Sequence, residues 1–176
     1  FIEPSTLQFD YPRFDLIRDE HFKPALDQAM AEHRSEVSAI AGNNEPASFD
    51  NTIVALERAG RMLDRTQRVF MNLAGTHTND TLRAVQAEFA PKLAAHLDAI
   101  LLDEALFERV KALHAQRDSL GLNAEQAQLL DRYHTDFVRA GANLSAEDKV
   151  KLKDYNAQLA TLQTRFTQNV QKETNA

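Results

Sequence analysis

An all-α fold is what the sequence predicts: an irregular up-and-down bundle of about six helices, with an extended N-terminal arm over residues 1–19 and a helical domain over 20–176. Three observations lead there. Apolar residues recur at steps of three and four through most of residues 20–176, the period of one helix face. Capping residues recur between those stretches. Only five glycines and five prolines occur in 176 residues, too few for the turns of a β-sandwich or barrel.

The arm, "FIEPSTLQFDYPRFDLIRD", carries Pro4 and Pro12 and no 3.6-residue period, so it reads as extended chain. Phe9, Tyr11, Phe14, Leu16 and Ile17 make it too apolar for a solvated tail. It is expected to lie on the domain or on a neighbour. Leu26, Met30, His33, Val37 and Ile40 then define the first helix face, with Pro24 tolerated in the first turn and Gly42-Asn43-Asn44 as the stop. Ser48 caps the next stretch, with Asp50 in its first turn. Ile53, Leu56, Gly60, Leu63, Phe70 and Leu73 form its stripe. Gly60 on that stripe predicts close approach of a neighbouring helix, at a cost of ~1 kcal/mol in helix propensity.

Asn79 opens a third stretch, with Leu82, Val85, Phe89, His96 and Ile100 as its stripe. Pro91 lies well inside it and is expected to kink or split that helix, because it removes one backbone bond. Asp103 caps a fourth helix, with Phe107, Val110 and Leu113 facing inward and Gly121 beyond its end. Asn123 with Gln126 makes a capping box for a fifth, whose inner face is Leu130, Tyr133, Phe137 and Ala140. Gly141 stops that helix, and Ser145 with Asp148 caps the sixth. Two caps so close together predict a helical hairpin of antiparallel neighbours. Leu152, Tyr155, Leu159, Leu162 and Phe166 read as the seam of a coiled-coil-like pair. The stripe runs almost to Ala176, which predicts an interrupted helix or a truncated chain.

The formal net charge is −6 and the isoelectric point about 5.5. There is no run of Lys or Arg to neutralise phosphates, so nucleic acid is not an expected partner. No stretch approaches the roughly 20 apolar residues that span a bilayer, so no membrane role is expected. Cysteine is absent, which removes disulfides and thiolate metal sites. No signal peptide is visible, and a start at Phe1 predicts processing or trimming.

The histidines are the conspicuous candidates for chemistry: His21, His33, His77, His96, His114 and His134. No two stand at the i, i+3 or i, i+4 spacing of a helix-borne metal site, and no HExxH occurs. Asp131 with His134 is the nearest approach to the Glu-x-x-His unit of di-iron bundles, single and with the wrong acid. His33 and His96 lie on apolar stripes, where a partly buried histidine bonded to a neighbouring helix competes with a metal site assembled from separate helices. His114 and His134 border their stripes, and His21 and His77 fall near helix starts or loops. Arg139, at a helix end, suits the last carbonyls or a carboxylate. No G-x-S-x-G elbow or Gly-rich phosphate loop occurs, and the acidic runs read as solvated faces. No catalytic, cofactor-binding or metal-ligating residue is assigned.

Three stretches carry a family resemblance. They are "FDNTIVALERAG", "EFAPKLAAHLDAILLDEALFERVKAL" and "DSLGLNAEQAQLLDRYHTDFVRAGANLSAEDKVKLKDYNAQLATLQTRFTQNV". Together they resemble the N-terminal region of the Dcp-type bacterial peptidyl-dipeptidases, within the thimet-oligopeptidase-like zinc metallopeptidases. The "DFVRAGANLS" joint is similar to the dipeptidase branch rather than the oligopeptidase branch. The resemblance implies a largely helical parent of two lobes around a channel. Zinc would be held by an HExxH helix and a later glutamate, and dipeptides released from the C-terminus of short peptides. Those catalytic residues belong to a region this sequence lacks. The expected cofactor is therefore none here and zinc in the full-length parent. The expected partners are the parent's C-terminal catalytic region and, in the parent, short peptides. Self-association through exposed stripes is a further expectation, as is a soluble bacterial location in cytoplasm or periplasm. Two rival readings are a stand-alone helical interaction module and a metal protein resting on His33 and His96.

Overall fold

The structure is a computed structural model that describes residues 5–174; Pro4 and the rest of the arm's start, and the last two residues, lie outside it. Among the described residues there are six helices of twelve residues or more and no strand. They are α1 (Phe22–Ala41), α3 (Arg61–Thr76), α4 (Asp80–Leu101), α5 (Glu104–Ala115), α6 (Ala124–Arg139) and α7 (Ala146–Thr174). A short α2 (Ala55–Arg58) precedes α3. The all-α class read from the sequence is the class observed.

The caps form at the residues that predict them. The Ser48 hydroxyl accepts from the Asn51 amide, Asp103 from Leu106, and Asn123 from Gln126. Asn79 accepts from Leu82 at the start of α4, and Ser145 from Asp148 at the start of α7. Each satisfies an amide that the first turn leaves without an intrahelical partner.

One expectation about helix continuity changes, and of the kink or split expected at a second place the split does not occur. The stretch after Ser48 is not one helix. It opens as a wider π-helical turn (Phe49–Val54), passes through α2, and breaks at Ala59, which is extended, and Gly60, at φ 73°. A Cβ on Gly60 would lie 2.9 Å from the His33 ring. Close approach by α1 is thus real, but it is met by a left-handed break that a residue with a side chain resists. Pro91, conversely, does not split α4, which runs through it from Asp80 to Leu101. The proline loses one backbone bond, but buried Phe89 and partly buried Leu93 hold the turns on either side against a core.

Packing divides the chain into two compact units. One comprises residues up to His33, Gly60–Ala94 and residues from Ala157. Its core joins Phe22, Leu26 and Met30 of α1 to Leu63 and Phe70 of α3 and Leu82 and Phe89 of α4. Phe22 meets Phe70 edge to face, with ring centroids 5.2 Å apart. Among its described residues the arm has no long helix, only single 3-10 turns at Gln8–Asp10 and, at its end, Asp19–His21. Its Ile17 packs on this core, while Leu7, Phe9, Tyr11, Phe14 and Leu16 are exposed.

The other unit comprises Arg34–Ala59 and Ala95–Asn156. Its core joins Val37 and Ile40 of α1 and Ile53 to Leu106, Phe107 and Val110 of α5 and Leu130 and Phe137 of α6. Arg109 ties in the connection after α1 by donating to the carbonyls of Asn43 (2.7 Å) and Glu45 (3.1 Å) and to Oδ1 of Asn51 (2.8 Å).

Candidate functional site

At the joint between α6 and α7 the two caps read from the sequence both form. The Ala142 amide donates to the Phe137 carbonyl and the Gly141 amide to that of Val138, the paired bonds of a Schellman ending. Gly141 sits at φ 99°, and a Cβ there would lie 2.7 Å from Leu152. Arg139 is exposed in the last turn before it.

Helix α7 itself departs from the coiled-coil seam read from the sequence. Leu152, the first residue of that seam, is half-buried beside Gly141, and the rest of the face of α7 turned toward protein is polar or small. Lys149 is buried and reaches the Leu102 carbonyl at 3.5 Å and Glu104 at 3.3 Å, and Asn156 donates to Asp98 at 2.7 Å. In the other unit, Gln168 donates to the Arg83 carbonyl at 2.9 Å and to Gln86 at 3.1 Å. From Tyr155 onward the apolar stripe faces outward: Tyr155 is 61% exposed, Leu159 52%, Leu162 58%, Phe166 70% and Val170 48%. The seam is real as a stripe but is not covered by another helix among the described residues. An exposed row of large apolar side chains is the mark of a binding surface.

A second grouping lies where α5 and α6 meet. His114 and His134 stack face to face, with centroids 3.9 Å apart and planes within 6°. Phe107 stacks on His134 at 6.0 Å. His114 Nε2 is 3.2 Å from Asp131, and Arg117 Nη1 donates to both oxygens of Asp131, at 2.8 and 2.7 Å. The Arg117 bond holds the Asp131 carboxyl below its ordinary pKa, with the charges of Arg117 and His114 adding to the effect. Burial, then the neighbouring His114, pushes the His134 imidazole down. Nearby, burial and a 2.7 Å bond to Glu57 push the Tyr133 phenol well up, so it stays protonated. Sequence reading paired Asp131 with His134, left His114 apart from them and missed Arg117, which sits on the 3-10 turn between the helices.

These groups do not fit a metal ion. Parallel stacked imidazoles aim their nitrogens side by side rather than at one point. No group of three or more His, Asp or Glu side chains among the described residues has the convergence a metal needs. His33 packs against Gly60 and His96 is buried on α4, and neither belongs to such a group. His21 uses Nδ1 to accept from the Arg18 amide, and His77 ends α3 in the open. A hollow of about 500 Å³ lies between the arm and α1 and α3, lined by Arg13, Ile17, His21, Ala25, Arg65 and Val69 among others. None of the described helices is long and apolar enough to cross a membrane.

Comparison with known proteins gives the geometry its context. No protein-family model matches the chain. It is 42% identical over 97% of its length to a dipeptidyl carboxypeptidase of Escherichia coli, and 42% over 96% to that of Salmonella typhimurium. The chain is homologous to the N-terminal quarter of the dipeptidyl carboxypeptidases. Oligopeptidase A of Salmonella typhimurium is a more distant relative, 25% identical over 95% of the chain. The closer likeness to the dipeptidase branch agrees with the reading of the "DFVRAGANLS" joint. The chain spans about a quarter of the length of each of these relatives.

Proposed function

We propose that the chain is the N-terminal helical part of a dipeptidyl carboxypeptidase, a peptidase that removes dipeptides from the carboxyl end of short peptides. The observation that carries this is the 42% identity that runs almost end to end through the chain. Catalytic groups, and the zinc ion that the family resemblance implies, belong to the remainder of that protein. The side chains described here do not converge on a metal. The helices contribute part of the wall of the substrate channel, where narrow access would exclude folded proteins by size. The outward apolar stripe of α7 supports this reading, since it suits a lobe that leans on further protein. Two measurements test it. The reading frame beyond Ala176 should continue into an HExxH-containing region. The full-length protein should release C-terminal dipeptides in a chelator-sensitive way, while the 176-residue chain alone should release none. Turnover by the 176-residue chain would sink the proposal.

A further inference from the structure

The outward face of α7 identifies its own occupant more closely than exposure alone allows. From Tyr155 to Gln171 the sequence is "YNAQLATLQTRFTQNVQ", with Arg165 as its one charge. The chain as a whole is 26% charged, which would place about four charges in such a stretch. Solvent-facing helices normally carry charge for solubility, whereas the centre of a protein–protein interface is depleted of charge and enriched in aromatic side chains. Leu159, Leu162, Phe166 and Val170 are exposed together on this charge-poor stretch. Their steps of three and four make a single stripe, the pattern by which a helix engages an apolar groove. Its neighbours along the sequence are amides and hydroxyls (Gln158, Thr161, Gln163, Thr167, Asn169), groups that hydrogen-bond at a rim without bringing charge into the contact. The opposite face is already bonded, through Gln168 to Arg83 and Gln86.

We infer that this stripe is the contact by which the chain docks the rest of its own polypeptide, the three-quarters that its relatives have beyond the matched region. The inference rests on the proposed function and adds the surface and residues of the contact. Length favours this occupant over a second copy. In the relatives, the protein that extends past this region is present in one-to-one amount and is tethered, so its effective concentration is high. A second copy would have to bring this stripe against itself without that advantage.

Since the sequence contains no cysteine, Phe166→Cys introduces one identified thiol on the stripe, and Leu159→Cys supplies a second. Each is made in the 176-residue chain and in the full-length protein. Both are labelled with a maleimide natively and in denaturant, and the modified peptide is identified by mass spectrometry. In the 176-residue chain the native rate should stay close to the denatured rate. In the full-length protein it should fall by at least about tenfold, because a covered thiol reacts slowly. Equal native rates in the two proteins would overturn the inference. So would protection in the 176-residue chain that grows with protein concentration, since a second copy would then be the occupant. The result is independent of the dipeptide-release assay, so the failure of either can be told from the failure of the other.

Discussion

Helices α6 and α7 start from the same sequence grammar and end in opposite environments. Each opens on a side-chain cap, Asn123 and Ser145, and each carries apolar residues at steps of three and four. On α6 the stripe goes inward: Leu130 is 0% exposed and Phe137 1%. On α7 the equivalent stripe goes outward from Tyr155 on, and the inner contacts are made by Leu152 near the joint and then by Lys149, Asn156 and Gln168. Periodicity therefore says which residues share a face, not which protein covers that face. The rest of each helix decides that. Outside its stripe α6 keeps the charges of a solvated helix (Glu125, Arg132, Asp136), whereas α7 between Tyr155 and Gln171 has only Arg165.

The sharpest way to break this contrast is to truncate the same residue type on both helices. In the 176-residue chain, Phe137→Ala should cost about 3–5 kcal/mol, because it empties a filled site in the core. Phe166→Ala should change stability by no more than about 0.5 kcal/mol, because the ring is in solvent. Urea unfolding of both variants checks the pair. Comparable losses would mean that α7 is packed through its apolar side after all.

The joint between the helices offers the next effect in size. Gly141 holds φ 99° with Leu152 against the space a side chain would fill. Gly141→Ala should destabilise the chain by more than about 1 kcal/mol, from the left-handed backbone and the crowding together. A neutral outcome in thermal unfolding would show that the Schellman ending does not fix where α7 begins. Ser145→Ala should cost about 1 kcal/mol through loss of the cap to the Asp148 amide. Ser145→Asp, which keeps an acceptor, should recover most of it.

Much of the fold was legible because its signals are local. A cap needs a side chain and an amide three residues on, so Ser48, Asp103, Asn123 and Ser145 could be read directly. What the sequence left open is decided by distant contacts. Gly60 marks close packing in the sequence, and the His33 ring on α1 supplies it, but the left-handed break at Gly60 carries no spacing signal. Pro91 weakens its helix locally, yet Phe89 and Leu93 keep it whole through core contacts. The cluster of His114, His134 and Asp131 depends on the register between α5 and α6, which are joined through the 3-10 turn carrying Arg117. No spacing rule contains that register. The outward stripe of α7 was visible as a stripe, but its direction depends on Lys149 and the amides of the other face.

That cluster yields the smallest and most selective effect, one confined to the α5–α6 side of the comparison. His134 faces His114 across the stack, with Asp131 beside them, Arg117 on Asp131, and Lys111 close enough to repel a proton on His134. Its folded pKa lies below the ordinary 6.5. As pH falls through 6.5, the unfolded chain therefore takes up this proton before the folded one does. Stability that is present above 6.5 is lost from there down to the depressed value. Asp131 does not add to the slope in that window, because its carboxyl is held below 3.8 and titrates later. Thermal unfolding between pH 8 and pH 5 should show the midpoint of the 176-residue chain falling on the acid side. In His134→Gln, which keeps a polar group and loses the titration, the fall should be shallower. Identical slopes would show that the stacked imidazole is protonated as easily in the folded chain as in the unfolded one, and that the α5–α6 contact does not discriminate between its charged and neutral forms.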